Sequence, residues 1–189
     1  MLLVNDGGID QPALVLTIGH STRKLDKFVR LLRANHVTTV VDIRTIPRSR
    51  QNPHFNRKLL PNVLESVAIR YRHMRGLGGL RRPLPDSPNT AWHNPSFRGF
   101  ADYMQKQDFD DHLSTLVELA SCEQVALMCA EVVPWRCHRS LIADALLTRN
   151  VGVEHILSEG RRQQHVFTPW AHVAGTHVTY PARDGEGLW

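Results

Sequence analysis

The chain has 189 residues, 42% of them apolar, and a formal net charge of +5. That length suits one compact domain with its own core, and no run reaches the about 18 apolar residues of a membrane span. The opening Met1-Leu-Leu-Val-Asn-Asp-Gly-Gly lacks a basic region followed by an apolar stretch, which argues against a secretory signal.

The elements read in chain order as alternating strands and helices. Residues 1–12 form an N-terminal extension. Ala13 to Gly19 is a short apolar run closed by glycine, hence a buried strand. Ser21 or Thr22 can cap the helix that follows, with Leu25, Phe28, Val29, Leu31 and Leu32 on one side and Asn35 closing it. Val37 to Ile43 is β-branched and predicts a second buried strand, so the unit is most simply a parallel βαβ. A proline-punctuated loop follows, then a helix over Arg57 to Ser66 and a third strand over Ala68 to His73. Residues 74–94 hold so many glycines and prolines that no regular element is expected. A loop of that length is usually functional or disordered. Gly76-Leu-Gly78-Gly79 lacks the lysine and helix of a phosphate loop and reads as a hinge or tight turn. Helices are predicted over Ser96 to Gln107 and Phe109 to Ala120, a fourth strand over Gln124 to Ala130, a helix over Arg139 to Asn150 and a fifth strand over Val153 to Leu157. Helical periodicity is absent beyond Glu159, and residues 161–189 form a tail or subdomain: a strand pair, a homodimer contact or disorder.

This pattern predicts an α/β fold: a single three-layer domain over residues 13–160 with a mainly parallel, Rossmann-like sheet of about five strands. In such a sheet, ligands bind at the carboxyl ends of the strands. Those ends are polar here. The first runs into His20 and Ser21, the second into Asp42 and Arg44, the fourth into Cys129 and Glu131, and the loop after it carries Arg136, Cys137, His138 and Arg139. Several reactive strand ends that share one edge point to a single site.

The side chains suggest the chemistry. Alternation along a strand makes Cys129 and Glu131 neighbours, and a carboxylate raises a thiol's pKa, which suits a metal ligand or a packing residue. Cys137 precedes a helix between arginines, which favours a thiolate, so it is the expected reactive cysteine, while Cys122 at a helix end is expected to be inert. Three cysteines, two of them in one loop, do not make a disulfide scaffold and predict a reducing, cytoplasmic setting. Glu131 is the leading general acid or base, with His138 and His20 as competitors. A phosphatase loop is excluded because Trp135, not arginine, stands six residues after Cys129. A zinc finger is excluded because Cys129 and Cys137 are eight apart. No cofactor is predicted, and the alternative is an open zinc-like site from Cys137, His138, Glu131 and His20.

The charge distribution points to an anion. Between Arg44 and Arg82 arginines and lysines face a single acid, Glu65, which implies a phosphate-bearing small molecule or nucleic acid or, in the plainer reading, a solvated basic face. Arg44, Arg136 and Arg139 would hold that anion, beside Ser21, Asp42 and Cys129. Asp42 could equally pair with a neighbouring charge and only hold a loop. No membrane partner is expected.

Thr17-Ile-Gly-His-Ser21, Val41-Asp-Ile-Arg44, Pro47-Arg-Ser-Arg50, Asn52-Pro-His-Phe-Asn56, Leu77-Gly-Gly79 and Cys129-x-Glu131 with Cys137-His-Arg139 follow one another in order. Over Leu14 to Gly160 the chain resembles the family named only as domain of unknown function 488. The resemblance implies a Rossmann-like α/β domain in a bacterial or archaeal cytoplasmic protein, and no settled activity. It maps family motifs onto His20, Ser21, Asp42, Arg44, Cys129, Glu131, Cys137, His138 and Arg139. The leading expectation is a hydrolase or group transferase acting on a nucleotide or nucleic acid. The rivals are a non-catalytic nucleotide or nucleic-acid binding module and a thiol or metal sensor.

Overall fold

The computed structural model describes residues 13–182; the extension at 1–12 and the end of the tail lie outside them. Five parallel strands form the body of the sheet: β1 (Leu14–Gly19), β2 (Thr39–Asp42), β3 (Arg70–His73), β4 (Val125–Cys129) and β5 (Gly152–Ser158). A sixth, β6 (Arg161–Gln164), folds back antiparallel on β5, and the order across the sheet is β3-β2-β4-β1-β5-β6. A separate hairpin pairs β7 (His172–Ala174) with β8 (His177–Thr179). Over residues 161–182 the tail is therefore a strand added to the sheet plus a strand pair.

Strand composition explains the order. β4 is wholly buried and apolar, as a strand covered on both faces must be, and it sits in the interior. β3 alternates exposed Arg70 and Arg72 with half-buried Tyr71 and His73, which suits an edge. β1, α1 and β2 form the expected parallel βαβ unit, and its crossover skips one position because β4 inserts between the two strands.

Helices cover both faces. α1 (Leu25–Ala34) and α2 (Leu60–Glu65) pack on Leu16, Ile18, Val40, Ala126 and Met128. α3 (Pro95–Tyr103), α4 (Gln107–Cys122) and α5 (Arg139–Leu147) pack on Val15, Val41, Val125, Leu127 and Val153. The two sets alternate along each strand, as the pleat requires. Each fully buried Leu or Ile contributes about 1.5–3 kcal/mol, so two such layers hold the strand ends in place. One local expectation fails. α1 starts at Leu25 with Lys24 in the cap position and no side-chain cap, so neither Ser21 nor Thr22 caps it. Ser21 instead adopts a φ of 42°, and its amide donates to the Ala130 carbonyl at 2.8 Å, tying the β1 end to the β4 end.

Candidate functional site

The carboxyl edge of the sheet opens into a cavity of about 560 Å³. His20, Ser21, Arg44, Cys129, Glu131, Arg136, Cys137 and His138 all line it. Four elements supply them: the turn after β1, the turn after β2, the end of β4, and the turn that enters α5. Asp42 and Arg139 are buried behind the lining.

On the α1/α2 side the polar groups satisfy one another. Arg44 donates to both Asp42 oxygens, at 2.9 and 2.6 Å, and to the Phe55 carbonyl at 2.7 Å. Tyr71 donates its hydroxyl to Asp42 at 2.7 Å. Burial works against the Arg44 charge, but the hydrogen bonds and charge of Asp42 outweigh it and raise the Arg44 pKa. The remaining Arg44 nitrogen donates to His20 Nε2 at 3.1 Å, and His20 Nδ1–H donates to the Ser21 carbonyl at 3.0 Å. His20 also stacks on Phe55 with centroids 4.3 Å apart. Burial, with Arg44 beside it, lowers the His20 pKa to about 4. Its imidazole is neutral and both nitrogens are engaged, so it supports Arg44 and has no free lone pair for a proton.

On the α5 side the polar atoms remain open. Cys129, the last residue of β4, points to the face covered by α3 to α5 and packs with Cys137. The Sγ atoms of Cys129 and Cys137 and a ring nitrogen of His138 all lie within 4.8 Å of one another. Cys137 Sγ is 3.7 Å from His138 Nδ1, and His138 Nε2 is 3.1 Å from the Leu77 carbonyl, to which it donates. That bond leaves the Nδ1 lone pair facing the sulfurs. A proton donated by the Cys129 thiol, with the positive charge of Arg139 behind it, holds the Cys137 pKa well below its ordinary value against the effect of burial. The same contact, together with burial, pushes the Cys129 thiol up. Gly79 makes room for the ring, since a Cβ there would stand 2.5 Å from His138 Nδ1. Gly79 has no positive φ, so space rather than a left-handed turn is what it provides.

The pairing of Cys129 with Glu131 is corrected in detail. β4 ends at Cys129, so alternation stops before Glu131. The Glu131 carboxylate is exposed and accepts from the Val133 amide at 3.1 Å. Its carbonyl accepts from Arg139 at 2.6 Å, and Val132 accepts from the same nitrogen at 3.2 Å. Arg139 is 1% exposed and braces this loop from behind. The exposed cations on the cavity are Arg136 and Arg48, and among the described residues neither forms an ion pair. Arg48 was not singled out from sequence as an anion ligand, and its place in Pro47-Arg-Ser-Arg50 was the available signal.

The family model described as "Domain of unknown function DUF488" matches residues 24–146. The chain belongs to this family. Cys129, Glu131, Cys137 and His138 fall inside the matched DUF488 segment, whereas His20, Ser21 and the strands from β5 onward fall outside it. No curated protein and no solved structure matches significantly. Among the described residues, no helix is long and apolar enough to cross a membrane.

Proposed function

We propose that this protein is an enzyme that hydrolyses or transfers a group on a phosphate-bearing substrate, a nucleotide or a nucleic acid, in the cavity at the carboxyl edge of the sheet. One observation carries the reading. A cavity of about 560 Å³, within the size range of small-ligand sites, combines two exposed guanidiniums that form no ion pair among the described residues with a carboxylate and a sulfur–imidazole cluster. Arg48 and Arg136 take the anion. Arg44, neutralised by Asp42, shapes the wall. Glu131 takes the proton of an attacking hydroxyl as its oxygen bonds to the electrophilic centre. The bond to the leaving oxygen breaks, its electron pair stays on that oxygen, and the proton passes there from Glu131. The net positive charge assists capture of a polyanion.

Calorimetric titration with pyrophosphate and a nucleoside triphosphate tests the binding half. Arg136→Ala should weaken affinity by roughly ten- to a hundred-fold, the effect of one charge-assisted contact. Equal affinity in wild type, Arg136→Ala and Arg48→Ala, or no affinity at all, overturns the anion site. Glu131→Gln should keep affinity and lose turnover of nucleotide or oligonucleotide substrates. Unchanged turnover in that variant removes Glu131 from the reaction.

A further inference from the structure

We propose that Cys129, Cys137 and His138 form a three-ligand site for one zinc ion, with its fourth coordination position open to the cavity. Binding of the ion stands on its own geometry, and only its catalytic use rests on the function proposed above.

The donor set comes from two elements that the fold holds rigidly. Cys129 closes an interior strand, and Cys137 and His138 form the turn that enters α5. Two sulfurs and an imidazole nitrogen suit zinc and suit hard cations such as magnesium or calcium poorly. Zinc binds sulfur at about 2.3 Å and imidazole nitrogen at about 2.0–2.1 Å, so the ligand atoms of a tetrahedron stand about 3.5–3.8 Å apart. Cys137 Sγ and His138 Nδ1 already stand at 3.7 Å, and all three atoms lie within 4.8 Å of one another. Closing the set requires shifts of about an ångström at most, within the reach of a χ1 adjustment of a cysteine.

The surroundings are those of a metal ligand. A ligating imidazole almost always donates its other N–H to a carbonyl or carboxylate, which fixes the tautomer and the ring. His138 does this with the Leu77 carbonyl and so presents Nδ1 to the sulfurs. Phe100 meets the ring edge-on at 5.0 Å and limits its rotation. Gly79 keeps the Nδ1 side clear. A structural zinc site is closed by four protein ligands, whereas a catalytic one keeps three and leaves a position for water or substrate. Here the three donors line the cavity that also holds Glu131. Water bound at the open position would be acidified by the ion.

The test uses the full chain, purified without a histidine tag or chelator. Elemental analysis should find about one zinc per chain. After stripping with a chelator, cobalt(II) should restore the visible d–d absorption of a tetrahedral site, together with a near-ultraviolet thiolate-to-cobalt band. Cys129→Ser, Cys137→Ser and His138→Ala should each lose the bands or weaken cobalt affinity at least a hundred-fold. Gly79→Ala retains every ligand and should weaken affinity by roughly ten- to a hundred-fold through the His138 ring. Cys122→Ser, on an exposed cysteine at the end of α4, should bind as wild type. Zinc should also protect Cys129 and Cys137, but not Cys122, from iodoacetamide. A folded wild-type chain that takes up neither zinc nor cobalt at micromolar concentration overturns the site, as does retention of the cobalt spectrum in folded Cys137→Ser. Pyrophosphate titration of stripped and zinc-loaded protein separates the two readings. Anion affinity without metal uptake rejects the zinc site and leaves the anion cavity standing, whereas metal uptake without anion affinity does the reverse.

Discussion

Two buried polar clusters flank α5, and they differ in what they leave open. Beneath the tail, Asp144 accepts from His165 at 2.9 Å, from the Thr168 amide and hydroxyl at 3.0 and 2.7 Å, and from Tyr180 at 2.8 Å. His165 in turn accepts from His155 at 3.1 Å, and His155 accepts from Thr17 at 2.8 Å. In that chain each hydrogen bond is donated in one direction, from Thr17 through the two imidazoles to Asp144. Burial first, and His165 and Arg139 after it, lower the His155 pKa to about 3. At the carboxyl edge the two sulfurs and the Nδ1 of His138 face a cavity instead. A satisfied network holds structure together, and an open set of donors beside a cavity is available for chemistry. Residue type does not separate the two, since both are built on histidine.

Asp144→Ala strands four donors in the interior, at a cost of about 3–5 kcal/mol. For a chain of this length that is a fall in Tm of roughly 6–20 °C. Affinity for pyrophosphate should be unchanged in the folded fraction, and a wild-type Tm would show that the network holds nothing. Acid gives the next largest effect. His155 and His20 are neutral in the fold, with pKa values lowered to about 3 and about 4, while the unfolded chain protonates them near 6.5. Stability from each is fully present above about pH 6.5 and is lost as pH falls towards those lower values, on the order of 3 kcal/mol apiece by pH 4. Melting curves between pH 7 and pH 4 should slope downwards, and less steeply in His20→Asn. An unchanged slope in that variant would place its titration elsewhere.

Arg139 and Arg136 sharpen the contrast within one loop. Arg139→Ala removes the brace on the Glu131 and Val132 carbonyls and should cost about 1.5–3 kcal/mol of stability. Arg136→Ala, on an exposed side chain, should leave the Tm within about 1–2 °C and act on anion affinity. The reverse assignment would put the anion behind the loop rather than in the cavity. Cys122→Ser should change stability by no more than about 0.5 kcal/mol, because its side chain is exposed.

Much of the fold was legible because its signals are local. Buried strands announced themselves as β-branched or apolar runs: β1 to β4 fall within the predicted segments, and β5 overruns the expected Val153 to Leu157 by one residue at each end. The polar residues at the strand ends were legible as a group, since strand direction in an alternating α/β chain puts them on one edge. Partners were not legible. That Arg44 is tied to Asp42 while Arg48 stays free depends on Asp42 and Tyr71 meeting across β2 and β3. That Cys129 meets Cys137 depends on the end of β4 and the turn before α5 closing on each other behind the Glu131 loop. His138 acquired its tautomer from a carbonyl 61 positions away, through a turn whose glycine has no side chain to obstruct the ring. Periodicity and charge are properties of a segment, and they suffice for the elements, the layers and the edge where they converge. A free lone pair or an unpaired charge is what remains after distant neighbours have taken their hydrogen bonds, and only the tertiary structure decides which neighbours those are.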